Sequence, residues 1–259
     1  MDAFVADSVA RVEAARADGF NIDIEIAATN AADVAALTTV ARKAAAAMHA
    51  ANPHAHVTYD TPSEGLLSEG GCGHQYDRDY DFAALADALD FLVVMDYDSN
   101  LPQVACDTCF FANAALPVVE AGVACYAKMG VPADKLVLAF PWYGYDYTCA
   151  ETAPDGGRCT VTNLPGVEVW LPDVARRLAA STVGGGRHWD DRAKTPWFYY
   201  TDAAGALHRV DYDDPQSLKL KYAYAKAAKA RGVGMWTANV VNYTDAANFG
   251  SFWADLETF

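Results

Sequence analysis

The chain has 259 residues, 53% of them hydrophobic, enough for one sizeable core or two small ones at most. Lys and Arg total 19 against 34 Asp and Glu, a formal charge of -15. That balance disfavours nucleic acid and anionic membranes, because phosphate contacts need clustered cations, and no apolar run approaches the roughly 20 residues that span a bilayer.

The chain opens on "MDAFVADSVARVEAARADG", an amphipathic helix pattern with acids throughout and none of the basic start and apolar core of a signal peptide. "FNIDIEI", Phe20 to Ile26, alternates as a strand, with Asn21, Asp23 and Glu25 on one face. Ala-rich 30–51 is a strong helix former with Asn at its start. "HVTYDT" (56–61) is a short strand, a Gly- and Ser-rich loop follows, and "DFAALADAL" (81–89) is a helix. "DFLVVMDYD" (90–98) reads as a buried strand, and 110–130 as a helix kinked or interrupted at Pro117. "KLVLAFPWYGYDY" (135–147) is a strand running on into aromatic-rich chain, followed by an irregular stretch. Within that stretch 185–213 forms a hairpin-like insertion turning near Asp202–Gly205. A helix over Pro215–Arg231, a buried strand in "GVGMWTANV" (232–240) and a closing helix over 245–259 complete the chain.

Cysteine usage adds a little. Six cysteines, Cys72, Cys106, Cys109, Cys125, Cys149 and Cys159, are many for a cytosolic enzyme. Cys149 and Cys159 are the pair expected to bridge, closing the Gly-rich loop "AETAPDGGR". "CDTC" at 106–109 lacks a second ligand pair for zinc and the strand–helix setting of a redox motif, so loop disulfides or free thiols are expected there. The acidic run "YDRDYD" (76–81) lacks the Gly and distal Glu of a calcium loop and reads as solvated. Histidine spacing offers no metal site either, and no cofactor is called for.

Strands separated by helices imply parallel pairing. A parallel sheet covered on both faces leaves no wet side for Asn21, Asp23 and Glu25, whereas polar residues converge on the C-terminal rim of a (β/α)8 barrel. Five strand ends carry such residues: Glu25, Asp60, Asp98, Tyr143 to Tyr147, and Asn239. Asp23 and Glu25, about 7 Å apart along a strand, suit acid–base work if one holds a proton against the other's charge; a pair of acids could equally bind Mg²⁺. Tyr97, Trp142, Tyr143, Tyr145, Tyr147 and Trp236 tilt the balance toward a carbohydrate ligand, although aromatics also fill cores.

Here the residues carry a specific resemblance. "DGFNIDIE" resembles the Asp-Gly-x-x-x-Asp-x-Glu signature of family 18 glycoside hydrolases on barrel strand four, "MDYD" (95–98) their strand-six motif, and "GMWTAN" their strand-eight tryptophan. "FNIDIE", "FPWYGYDYTC", "DDPQS" and "GVGMWTAN" are similar more narrowly to the di-N-acetylchitobiase branch. The resemblance implies a retaining enzyme in which the substrate's own 2-acetamido group attacks, giving an oxazolinium ion. It gives Glu25 the general acid and base role, Asp23 the orientation of the acetamido group, and Tyr97 a hydrogen bond to it. Asn21, Asp98, Trp236, Trp142, Tyr143 and Met95 become substrate-binding candidates, with lumen packing the alternative for Met95, a helix-cap role for Asp98, and core or loop packing for Trp142 and Tyr143. A GlcNAc-containing oligosaccharide is then the partner and a lysosomal or secretory setting the expected location.

One departure stands at the front. The strand-four signature begins at residue 18, so the resemblance implies that strands one to three and a signal peptide are missing, leaving an incomplete barrel of about strands four to eight. A missing N-terminal segment of the same gene product is therefore an expected partner. A non-catalytic GlcNAc-binding remnant is the runner-up.

Overall fold

The computed structural model describes residues 2–63, 72, 78–100, 110–152, 159–256 and 259. They divide into two compact units: Met1–Met95 with Gly122–Leu138 and Ala228–Gly232, and Asp96–Ala121 with Ala139–Ala227 and Val233–Phe259.

The first unit alternates helix and strand. Helix α1 (Asp2–Ala15) leads into β1 (Gly19–Ile22), α2 (Ala31–Ala51), β2 (His56–Pro62), α3 (Phe82–Ala88) and β3 (Phe91–Met95). The period that marks these elements in the sequence is the one the structure uses. β1 pairs with β2 and β2 with β3, both in parallel, as helical crossovers require. Strands β4 (Leu136–Pro141) and β11 (Gly232–Trp236) continue the sheet in the order β1-β2-β3-β4-β11, and this unit holds their opening residues. Asn30 caps α2, its Oδ1 accepting from the Ala32 and Asp33 amides at 3.1 and 3.0 Å, and Asp81 caps α3 through the Ala84 amide at 3.0 Å. A disulfide joins Cys72 to Cys125, 53 residues apart in sequence. Its partners carry no local signal, and the sequence did not point to it.

Helix α4 (Leu116–Lys128) corrects a sequence expectation. Phe110–Ala115 precede it as irregular chain, and Pro117 occupies its first turn, where a missing N–H costs nothing, rather than kinking it.

The second unit centres on a six-stranded antiparallel sheet, order β6-β5-β10-β9-β8, with β7 also paired to β5. Its strands are β5 (Tyr143–Thr152), β6 (Cys159–Val161), β7 (Val167–Trp170), β8 (His188–Asp190), β9 (Thr195–Thr201) and β10 (Leu207–Asp211). The aromatic run after Pro141 is thus a long strand of its own, and the stretch read as irregular holds α5 (Leu171–Ala180) as well. The hairpin turning at Asp202–Gly205 is β9–β10. α6 (Pro215–Ala227) and α7 (Ala246–Leu256) are shorter than the sequence pattern suggested.

Alternation along these strands builds two cores. Tyr143, Tyr145, Tyr147, Trp197 and Tyr199 pack with Phe111 on one face; Val169, Val174, Phe198, Val210 and Tyr212 pack on the other. Gly144 is required by a close approach, since a Cβ there would lie 2.5 Å from the Asp211 carbonyl oxygen. The Cys149–Cys159 disulfide forms across β5 and β6 as its loop length suggested. Cys106 and Cys109, and the first two residues of 76–81, lie outside the described residues.

Candidate functional site

In the first unit the signature residues gather at the end of β1. Gly19 adopts φ +146°, and a Cβ there would come within 1.8 Å of the His56 carbonyl oxygen. Only glycine therefore lets β1 lie against β2 at that point. The strand stops at Ile22, four residues short of the sequence reading. Asp23 and Glu25 consequently stand on irregular chain beyond the ladder rather than on a strand face, and Ile26 is 49% exposed instead of packed. This segment is pinned from below by two phenols. Tyr59 donates to the Ile24 carbonyl at 2.8 Å, and Tyr80 donates to the carbonyls of Ile24 and Ile26 at 3.1 and 2.7 Å. Burial raises both phenols above their ordinary value, which keeps them protonated as donors.

Glu25 forms an ion pair with Arg78 at 2.5 Å. Arg78 is nearly buried, with 12% of its side chain exposed, and its backbone bridges Ala28. Together with buried Tyr80 it corrects the reading of 78–81 as solvated loop. The run of acids around Arg78 masked the one base that matters. Asn21 links β1 to β2: Thr58 donates to its Oδ1 at 2.6 Å, and its Nδ2 donates to Asp60 Oδ2 at 2.6 Å. Burial, with the charges of Asp23 and Glu25 adding and the Asn21 hydrogen bond opposing, pushes the Asp60 carboxyl up to about 6.

The motif "MDYD" leaves its strand after buried Met95, which closes β3 in the first unit and takes a packing position; Asp96 to Asp98 belong to the second unit. Asp98 sits at φ +55°, held by its amide donating to Asn113 Oδ1 at 2.6 Å. Its carboxylate Oδ1 accepts from the Tyr145 hydroxyl at 2.8 Å and from the Tyr143 hydroxyl in a shorter bond. These bonds give Asp98 a tyrosine-bound carboxylate where the helix-cap alternative would have used a backbone amide. Burial first, and the Asp98 charge second, raise the Tyr143 phenol and also the Glu168 carboxyl on β7. Tyr97 lies edge-on to Tyr143 with ring centres 6.3 Å apart, and Trp170, 39% exposed, lies 5.9 Å from the same ring.

The two tryptophans named from the sequence part company. Trp236 is 53% exposed. Trp142 has no exposed surface; its indole N–H donates to the Tyr222 hydroxyl at 3.3 Å and its ring packs against Phe252 and Trp253. That environment makes it a core residue instead of a ligand contact. Tyr143 is likewise buried as a ring, with its hydroxyl committed to Asp98. Glu168 and Trp170 were missed because the strand that carries them was read as irregular. Among the described residues no group of three or more His, Cys, Asp or Glu is arranged to hold a metal ion.

Residues 2–240 match the family described as glycosyl hydrolases family 18. The chain belongs to glycoside hydrolase family 18. Among its relatives in the family, a mouse protein named di-N-acetylchitobiase is 34% identical over 255 residues, covering 94% of this chain and 67% of the mouse protein. The human protein of that name is 33% identical, covering 89% of this chain and 60% of the human one. The chain thus spans about two thirds or less of the length of these relatives. A chitinase structure from Chromobacterium violaceum matches 98% of the chain and 69% of its own, with TM-score 0.75 and 23% identity. A chitinase structure from Trichuris suis matches with TM-score 0.76 and 20% identity, over 98% of this chain and 73% of that one. Those likenesses put this family 18 chain in the TIM-barrel-like α/β class, with mixed parallel and antiparallel sheets.

Proposed function

We propose that the chain is a retaining glycoside hydrolase that cleaves β-1,4 GlcNAc–GlcNAc linkages, in the chitobiose core of asparagine-linked glycans or in small chitin oligomers, by substrate-assisted catalysis. The observation that carries this reading is Glu25, fixed beside Asp23 and Asp60 on a segment pinned by Tyr59 and Tyr80 in the family 18 signature. Glu25 protonates the glycosidic oxygen as the substrate's acetamido oxygen attacks the anomeric carbon; the oxazolinium ion forms and the leaving sugar departs with the proton. Glu25, now a carboxylate, takes a proton from the water that opens the ring. Asp23 orients the acetamido group, Tyr97 hydrogen-bonds it, Asp98 contacts the sugar and Trp236 stacks beneath the ring. Chain 1–259, with its inserted hairpin, serves this one activity, and two disulfides are in keeping with a lysosomal or secreted setting.

The Arg78–Glu25 ion pair bears directly on the mechanism. An ion-paired Glu25 is the base form that the second step uses, so the first step requires the pair to open. That pair also favours the second reading, a GlcNAc-binding protein that does not cleave. Glu25→Gln separates the two. Release of GlcNAc from di-N-acetylchitobiose should fall about 10²- to 10⁴-fold, with binding by calorimetry nearly unchanged. A wild-type chain that binds the disaccharide without releasing GlcNAc would put the binding reading ahead; a Glu25→Gln variant as fast as wild type would sink the assignment.

A further inference from the structure

The carboxylate group contains a member to which the proposed chemistry gives no task. Asp60 stands on β2 where that strand runs beside β1, with Asn21 paired to Thr58 and Ile22 to Tyr59 across the ladder. Asn21 is fixed at both ends of its amide. Thr58 Oγ1 donates to Oδ1, which leaves Nδ2 to donate to Asp60 Oδ2. The orientation of Asn21 is therefore set by a hydroxyl on one side and a carboxyl on the other. Asn21 in turn sits two residues before Asp23 and four before Glu25.

Charge ties the three acids together as well as geometry. Asp23 and Glu25 both act on the Asp60 carboxyl, and both disfavour its ionisation. Glu25 carries Arg78 as its counterion, while from β3 the residue in register with Asp60 is uncharged Val93. Among the described residues no ion pair reaches Asp60, and its proton is governed by burial, by the opposing Asn21 hydrogen bond and by its two acidic neighbours.

We propose that Asp60 is a positioning residue for the Asp23–Glu25 pair, acting through the Asn21 amide and through its own change of charge without touching substrate. For its bearing on hydrolysis the proposal rests on the glycosidase reading above. Like charges disfavour one another, so the influence runs both ways: an ionised Asp60 makes a proton on Asp23 or Glu25 harder to lose. With Asp60 ionised, its charge stands against a further negative charge on the pair. With Asp60 protonated, below about 6, that opposition is withdrawn.

Two measurements on the full chain test this. The first is a carbon NMR titration of the Asp60 carboxyl, which needs no activity. We expect a midpoint near 6 that moves downward in Asp23→Asn and in Glu25→Gln. The second is the pH profile of kcat/KM on di-N-acetylchitobiose for Asp60→Asn, which keeps an acceptor for Asn21 Nδ2 and removes the charge. Its alkaline limb should move to lower pH, by on the order of one unit. A carboxyl midpoint indifferent to both neighbours overturns the proposal. So does an Asp60→Asn variant that loses kcat equally at every pH with its limb unmoved, because that is a purely structural role. A chain that hydrolyses nothing defeats the glycosidase reading, while the titration still decides whether Asp60 is coupled to the pair.

Discussion

In the first unit four carboxylates stay partly in water: Glu25 beyond the β1–β2 ladder, Asp60 within β2, Asp90 before β3 and Asp33 in the first turn of α2. In the second unit two ion pairs are inside. Lys221 on α6 and Asp213 just ahead of it have no exposed surface and are bonded to each other, with the Ser217 hydroxyl donating to the same carboxylate at 2.5 Å. Arg209 and Asp211 are joined twice, at 2.6 and 2.8 Å, with the guanidinium lying 4.3 and 4.2 Å from the ring centres of Phe111 and Trp197. The difference separates two uses of charge. A carboxylate that must gain and lose a proton needs water and neighbours that can shift it. A charge that fixes a sheet corner needs a permanent partner. Asp211 pairs in register with Tyr145, and Tyr145 holds Asp98, so the buried charges of this unit stand behind its tyrosine–carboxylate cluster.

The comparison breaks most visibly at Lys221. Desolvation draws Lys221 and Asp213 toward neutrality, and their mutual contact is the largest effect opposing it. Lys221→Met leaves Asp213 buried without its cation and should cost about 3–5 kcal/mol in chemical denaturation. The double variant Lys221→Met with Asp213→Leu should recover much of that loss, because removing both charges also removes their desolvation cost. A single variant within 1 kcal/mol of wild type would mean that the pair contributes no more than a surface one, and the contrast between the units would collapse.

At Asn30 the effect is several-fold smaller and local. Its side chain satisfies two amides at the start of α2. Asn30→Ala should cost about 1 kcal/mol without changing the response to pH. A loss as large as that at Lys221 would show that α2 carries tertiary strain that the cap alone does not explain.

How much of this was legible depends on which unit is read. The parallel strands and their helices announce themselves by period: β1 by alternation, β3 as a short apolar run, α2 as a long Ala-rich helix. The antiparallel sheet did not, because β6, β7 and β8 are only three or four residues long, too short for alternation to show. Glu25, Asp23, Tyr97, Asp98 and Trp236 were named as candidates through motif order. Arg78 was hidden among acids and Glu168 in an unrecognised strand, because the partner of a side chain across a fold leaves no mark on its neighbours in sequence. Trp142 was misjudged for the same reason: its aromatic run looks alike whether a ring faces ligand or core, and only its surroundings decide.

The smallest effect, and the one that sharpens the comparison most, is at Asp90. Its carboxylate accepts from the Val57 amide at 2.7 Å, with His49 Nε2 at 3.0 Å and His56 Nδ1 at 3.7 Å. Burial opposes ionisation, but the amide and the two histidines outweigh it and hold the carboxyl below its usual value. The folded chain therefore releases this proton more readily than the unfolded chain does. The resulting stability is fully present above the ordinary carboxylate value, about 3.9, and is lost as pH falls through the lowered folded value. Asp90→Asn should therefore be less stable than wild type at neutral pH, by under about 1 kcal/mol because the group is partly in water. That difference should narrow steadily below about pH 4. Denaturation midpoints of the two proteins from neutral to acid pH give the answer. A gap that widens with acid would mean that Asp90 is held protonated in the fold, and that the first unit, like the second, buries charge it cannot use.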